Sequence, residues 1–117
     1  MESFIFGHSR QNIPIVGYRF GNQGAKVLIL GGVHGDETEG VIAAMGLLDN
    51  WMKNYPYRLQ ITLVPTFNVD GVLAKTRTNA AGVDLNRNLP TLDWSPAIAT
   101  PRYHPGPKAG SEPENVA

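Results

Sequence analysis

The sequence contains no cysteine. That excludes a disulfide framework, a thiol nucleophile and any thiolate metal site, leaving histidine and carboxylates as the only strong ligands for a transition metal. Charge of one sign is missing as well, since ten Lys and Arg face ten Asp and Glu. No global field therefore gathers nucleic acid, an acidic polymer or an anionic membrane surface. Long apolar runs are also absent: Val27-Leu28-Ile29-Leu30 is far short of the roughly 20 residues that cross a bilayer. Met1 to Phe6 carries neither a basic cluster nor a long apolar stretch, so no secretory signal is expected and a cytoplasmic location fits.

What is present suits one domain, or part of one, since 117 residues can bury a single core. Phe4 to Phe6 and Ile13 to Phe20 are apolar and β-branched stretches flanking the polar turn Gly7 to Asn12, which predicts an antiparallel pair. Lys26 to Val33 is nearly continuously apolar, the pattern of a strand buried on both faces and central in its sheet. From Glu37 to Asn54, Val41, Ile42, Met45, Leu48 and Met52 recur at helical spacing, and Tyr55-Pro56 stops the helix. A further strand, Gln60 to Val64, completes a βαβ unit with a right-handed crossover. After Phe67 the chain turns rich in Asn, Pro, Gly and Thr with no sustained apolar period, the composition of long functional loops or of a segment missing its packing partner. Near the end, Ser111 and Glu114 have the spacing of a capping box at a helix start.

Two constellations carry chemistry. Gly31-Gly32-Val33-His34-Gly35-Asp36-Glu37 lies where a strand gives way to a helix, the carboxyl edge at which open α/β sheets bind ligands. His34 and Glu37 are three residues apart, so one turn of backbone can aim an imidazole nitrogen and a carboxylate at one ion. The alternative is purely structural: His34 is a polar residue at a strand end, Asp36 is an N-cap, and Glu37 and Glu39 complement the helix dipole. The second stretch, Arg77 to Pro90, combines two arginines with several amides and is too polar for core. It suits a loop that grips a carboxylate, or equally a solvated loop whose Asn and Asp residues only form turns.

Together, and in this order, the segments resemble the M14 zinc metallocarboxypeptidases. The resemblance begins at Phe6-Gly7-His8-Ser9-Arg10-Gln11-Asn12-Ile13-Pro14-Ile15, where Asn12 stands at a usual glycine. It continues through Gly32-Val33-His34-Gly35-Asp36-Glu37 and Pro65-Thr66-Phe67-Asn68-Val69-Asp70-Gly71, with Val69 in place of proline. Gly82-Val83-Asp84-Leu85-Asn86-Arg87-Asn88 is its most specific part. Tyr103-His104-Pro105-Gly106-Pro107 and Ser111-Glu112-Pro113-Glu114 are similar to the bacterial murein tripeptide amidases within that family.

The resemblance implies an α/β fold with a mixed, twisted sheet and flanking helices, of which residues 1–117 form the N-terminal part of a single catalytic domain. It implies one zinc ion with His34 and Glu37 as ligands, Arg77 stabilising the oxyanion of the scissile carbonyl, and Asn86 and Arg87 holding the substrate's terminal carboxylate. Lys75 is the weaker alternative to Arg77. The family's third ligand, a histidine, and its glutamate base lie further downstream. His104, in a Tyr-His-Pro-Gly-Pro turn, is not expected to bind metal, and His8 reads as surface. The chain alone is thus expected to bind zinc poorly and to be inactive. The implied partner is a peptide with a free C-terminus, for instance a diaminopimelate-containing muropeptide, with neither nucleic acid nor membrane involved. Two rivals remain: a zinc-dependent N-acyl amino acid deacylase of the desuccinylase and aspartoacylase kind, and a non-catalytic module that captures peptide C-termini.

Overall fold

The structure is a computed structural model in which residues 1–98 and 100–117 are described. Strands β1 (Glu2–His8) and β2 (Pro14–Phe20) pair antiparallel, with a register shift between Ile5 and Gly7. The turn between them is closed by Ser9, whose backbone pairs with Ile13 and Asn12 and whose hydroxyl accepts from the Ile13 amide. Asn12 has φ 63, the left-handed conformation that asparagine tolerates better than other residues with side chains. Its replacement of glycine there is therefore conservative.

Strand β3 (Lys26–Leu30), helix α1 (Thr38–Lys53) and strand β4 (Gln60–Val64) follow, and β3 and β4 run parallel. The sheet order is β1-β2-β4-β3. The expectation for β3 is corrected here: it is an edge strand among the described residues, and Leu28 is 54% exposed. Its apolar run pairs only with β4, and β4, with Ile61, Leu63 and Val64 all buried, is central instead. Helix α1 buries Ala44 and Leu48 against Phe20, Ile61 and Leu63, with Trp51 edge-on and Tyr55 tilted against the Phe20 ring. The cap position falls on Glu37 and no side chain caps the N-terminus, so Asp36 is not the N-cap.

Beyond Phe67 regular structure is brief. Helix α2 (Val69–Ala74), not foreseen from the sequence, is only six residues long. It forms because Asn68 accepts from the Gly71 amide as N-cap, and Lys75 ends it in a left-handed conformation. Short 3₁₀ turns occupy Leu85–Arg87, Pro101–Tyr103 and Pro113–Val116. The last replaces the expected capping box. Glu114 turns inward, 1% exposed, to accept from Asn79 and from the Arg10 amide, while the Ser111 hydroxyl donates to Glu112. A second apolar cluster, Ile15, Val64, Phe67 and Leu85, joins this half to the sheet. No described helix is long and apolar enough to cross a membrane.

Candidate functional site at the carboxyl edge of the sheet

Beyond the carboxyl ends of β3 and β4 the backbone is packed too closely for side chains. Gly35 passes against the backbone of Gly71 and Thr76, so a Cβ at Gly35 would collide with both. This approach brings the His34 segment against the polar loops of the second half. Asn68, fully buried, stitches the contact by donating to the carbonyls of Val33 (3.2 Å) and Thr78 (3.1 Å).

At the centre lies Asp84, with 0% exposure. Its Oδ1 accepts from His34 Nε2 at 3.0 Å and from the Asn86 amide at 3.1 Å. Oδ2 accepts from Arg77 Nε at 3.1 Å, and Arg87 Nε lies 3.7 Å away. A buried carboxylate is costly unless paired, and here a ring nitrogen and two guanidinium groups surround it. A carboxylate only accepts, so the hydrogen bond between the two is assigned with its proton on His34 Nε2.

That assignment determines the other side of the ring. His34 Nδ1 faces Glu37 Oε2 at 3.2 Å, and without a cation between them two lone pairs would oppose each other. A proton or a metal ion resolves the clash. Zinc bonds nitrogen and carboxylate oxygen at about 2.0–2.2 Å, which keeps two tetrahedral donors roughly 3.3 Å apart. The spacing of His34 and Glu37 thus fits two positions of such an ion, and Asp84 stands where an outer carboxylate would fix the tautomer of a metal-binding histidine. Among the described residues no group of three or more His, Asp or Glu side chains converges on one metal position, since Asp84 lies across the ring from Glu37.

The two arginines are stacked on one ring. Arg77 and Arg87 lie 4.9 and 4.6 Å from the centroid of Tyr103, an arrangement that holds guanidinium planes by cation–π attraction. Arg77 is nearly buried and also approaches Glu37 Oε1 at 3.7 Å, whereas Arg87 is half exposed. Arg87 and the exposed Asn86 open onto a cleft of about 400 Å³ that Trp94 and Pro105 also line.

The structure therefore brings His34, Arg77 and Arg87 around Asp84, with Asn86 beside them and Glu37 on the far side of His34, against Arg77. Lys75 caps α2, is exposed, and stands outside the cluster. His104 is elsewhere too: its Nδ1 accepts from the Gly106 amide at 2.9 Å, while its carbonyl accepts from the Asp84 amide. Sequence reasoning gave no role to Asp84 or Tyr103. An acidic residue between Val83 and Leu85, both buried, was the available sign for Asp84. Tyr103 stood in the Tyr103-His104-Pro105-Gly106-Pro107 segment of the resemblance, which assigned it no role.

Comparisons with known proteins bear on the family and the fold. The family described as the succinylglutamate desuccinylase/aspartoacylase catalytic domain matches residues 23–102. Murein peptide amidase A of Escherichia coli K12 is 36% identical over 101 residues, covering 77% of this chain and 40% of that protein. The crystal structure of murein-tripeptide amidase MpaA from E. coli O157 superposes with a TM-score of 0.72 at 31% identity, covering 99% of this chain and 53% of the other. Bovine thrombin-activatable fibrinolysis inhibitor shares the fold, with a TM-score of 0.84 at 22% identity over 98% of this chain and 46% of that one. The chain spans about two fifths of the length of its curated relative and about half of each solved structure. By the match over residues 23–102 the chain belongs to the succinylglutamate desuccinylase/aspartoacylase catalytic domain family, with the zinc carboxypeptidase-like fold and a resemblance to the M14-type murein peptide amidases.

Proposed function

We propose that residues 1–117 are the N-terminal part of one catalytic domain of a zinc-dependent hydrolase that cleaves the amide bond before the C-terminal residue of a peptide. A diaminopimelate-containing muropeptide is the proposed substrate class, and the cytoplasm the proposed location. The observation that carries this reading is the convergence on buried Asp84 of residues from two distant segments, His34 from one and Arg77 and Arg87 from the other. The murein peptide amidase relatives favour a peptide substrate.

In this reading His34 Nδ1 and Glu37 hold zinc, with a third ligand and the general base supplied by polypeptide beyond these residues. When bound, the ion polarises the scissile carbonyl and activates water. Two protein ligands make a weak site, so this chain by itself binds zinc poorly. Arg77 has its Nε engaged by Asp84 and Nη1 3.7 Å from Glu37, which leaves Nη2 to face the oxyanion that develops at the carbonyl. Arg87, half exposed and held flat against Tyr103, takes the terminal carboxylate together with Asn86. A chain end is then required, since an internal peptide bond presents no carboxylate there.

The family match supports a second reading, hydrolysis of an N-acyl amino acid. One titration separates the two. The zinc-supplemented chain is titrated with a diaminopimelate-terminated tripeptide, the C-terminal amide of the same tripeptide, and N-succinylglutamate. The peptide reading expects the free acid to bind best, the amide roughly 10–100-fold more weakly for the loss of charge-assisted hydrogen bonds, and Arg87→Ala to erase that difference. Equal binding of acid and amide would remove the carboxylate role of Arg87. Tightest binding of N-succinylglutamate would favour the deacylase.

A further inference from the structure

Asp84 holds the ring of His34, but Asp84 sits on a loop, and something must hold the loop. It follows the turn Asn79 to Val83, and that turn is built on one carboxamide. Asn79 Oδ1 accepts from the amides of Ala81 (3.0 Å) and Val83 (3.1 Å), while its backbone N–H donates to the Val83 carbonyl at 2.9 Å. On the opposite side Nδ2 donates to Glu112 Oε1 at 2.8 Å and Glu114 Oε2 at 3.0 Å. Asn79, Glu112 and Glu114 are 3%, 2% and 1% exposed. Two carboxyl groups facing Nδ2 and two backbone amides facing Oδ1 leave the carboxamide a single orientation, since a flip would set its oxygen against the carboxyl oxygens and its NH₂ against N–H groups.

We infer that Asn79, gripped by Glu112 and Glu114, is a positioning residue that sets Asp84 and, through it, the tautomer and orientation of His34. The proposal rests on the reading of His34 as a metal-binding residue. Asn79 itself touches neither His34 nor the reacting groups. Its effect passes along the turn: the carboxamide fixes the Val83 amide and carbonyl, the next residue is Asp84, and Asp84 accepts from both His34 Nε2 and Arg77 Nε. Arg10 buttresses the grip from the β1–β2 turn, its amide donating to Glu114 at 2.8 Å and its guanidinium lying 3.9 Å from Glu112.

The test reads the imidazole of His34 in the 117-residue chain by nitrogen-15 NMR, in the absence of metal, so failure of zinc to bind leaves the outcome decisive. In Asn79→Ala the Nε2–H that His34 donates to Asp84 is expected to lose its fixed partner, read as a shifted or exchange-broadened Nε2–H signal. Leu48→Ala, which truncates the core beneath α1, is the control for general loosening and should leave the ring unchanged. Asn79→Asp should behave like Asn79→Ala, because an acceptor then faces two carboxyl groups. Combining it with Glu112→Gln and Glu114→Gln, which returns donors from the other side, should restore the ring. In the zinc-supplemented protein the Asn79→Ala loss should approach the roughly 10-fold lower end typical of outer-shell changes. A wild-type His34 signature in Asn79→Ala, or an equal disturbance in Leu48→Ala, would overturn the proposal.

Discussion

Residues 1–67 and 68–117 are held together by different physics. The first part buries Ile15, Phe20, Ala44, Leu48, Ile61, Leu63, Val64 and Phe67, and its backbone groups pair in strands and one long helix. Among its described residues the second buries few apolar side chains, Val83, Leu85 and Pro105, but also Asn68, Asp70, Asn79, Asp84, Asn88, Glu112 and Glu114. Ser9 is the one buried polar residue of the first part, and its hydroxyl donates to Asp70 at 2.7 Å. A stretch with little regular structure still has to satisfy its buried backbone groups, and here carboxamides and carboxylates do so. Of the groups proposed above, His34 and Glu37 stand at the end of the sheet in the first part, and Arg77, Asn86 and Arg87 meet them from the second. Precise placement of charged side chains thus depends on polar clamps rather than on apolar packing.

The strongest way to break that comparison is Asn88→Ala. Asn88 is fully buried: its Nδ2 donates to the carbonyls of Pro105 and Lys108 and to Ser111, and its Oδ1 accepts from the Glu112 amide and from Asn115. Stranding buried partners costs about 1–3 kcal/mol each where water cannot replace the side chain, so a total loss of about 3–4 kcal/mol is expected. That equals the loss of about 2–5 kcal/mol expected for Leu63→Ala in the first core. Urea unfolding measures both, and hydrogen exchange locates them. Asn88→Ala should expose the amides of residues 84–115 while β4 stays protected, and Leu63→Ala should deprotect β4 first. Equal loss across the chain in both variants would mean that the two parts are one cooperative core.

A smaller effect sharpens the comparison at the site itself. Asp84→Asn keeps the shape but removes the charge that pairs with His34, Arg77 and Arg87. Outer-shell carboxylates that orient a metal-binding histidine are typically worth about 10–100-fold in metal affinity, and a loss in that range is expected in a zinc titration of the chain against Asp84→Asn. His34→Ala sets the floor. If Asp84→Asn bound zinc as the wild type does, Asp84 would be a structural counter-ion to the arginines with no hold on the ring.

The same contrast explains what could be read from the sequence. The antiparallel pair, the helix and the parallel strand are legible because their apolar periods differ, and the family pattern put His34, Glu37, Arg77 and Arg87 in one site before any coordinates. The edge position of β3 was not legible, because an apolar run says that a strand has apolar neighbours and not how many strands pair with it. Helix α2 was missed because it depends on one cap, Asn68, in a six-residue segment. The asparagines hid most. Asn68, Asn79 and Asn88 have the composition of solvated turns, and only tertiary contacts with Val33, Glu112 and Pro105 turn them into buried clamps.

The smallest expected effect concerns the sign of a pH dependence. Burial first, and then the charge of Glu112, raise the Glu114 carboxyl above its ordinary 4.5, while hydrogen bonds from Asn79 and the Arg10 amide pull the other way. Between the ordinary value and the raised one, the folded protein keeps a proton that the unfolded chain has released. Stability contributed by this group is therefore highest below about pH 4.5 and falls as pH rises through the folded-state value. The informative quantity is the difference between wild type and Glu114→Gln, which cannot ionise and still offers an oxygen to Asn79. Urea unfolding from pH 4 to pH 8 should show the variant gaining on the wild type as pH rises. A difference that stays flat, or runs the other way, would mean that Glu114 is ionised at no cost and that Asn79 and Arg10 outweigh its burial. The polar half would then be held by full charges, and its clamps would be insensitive to pH in the range where the sheet is stable.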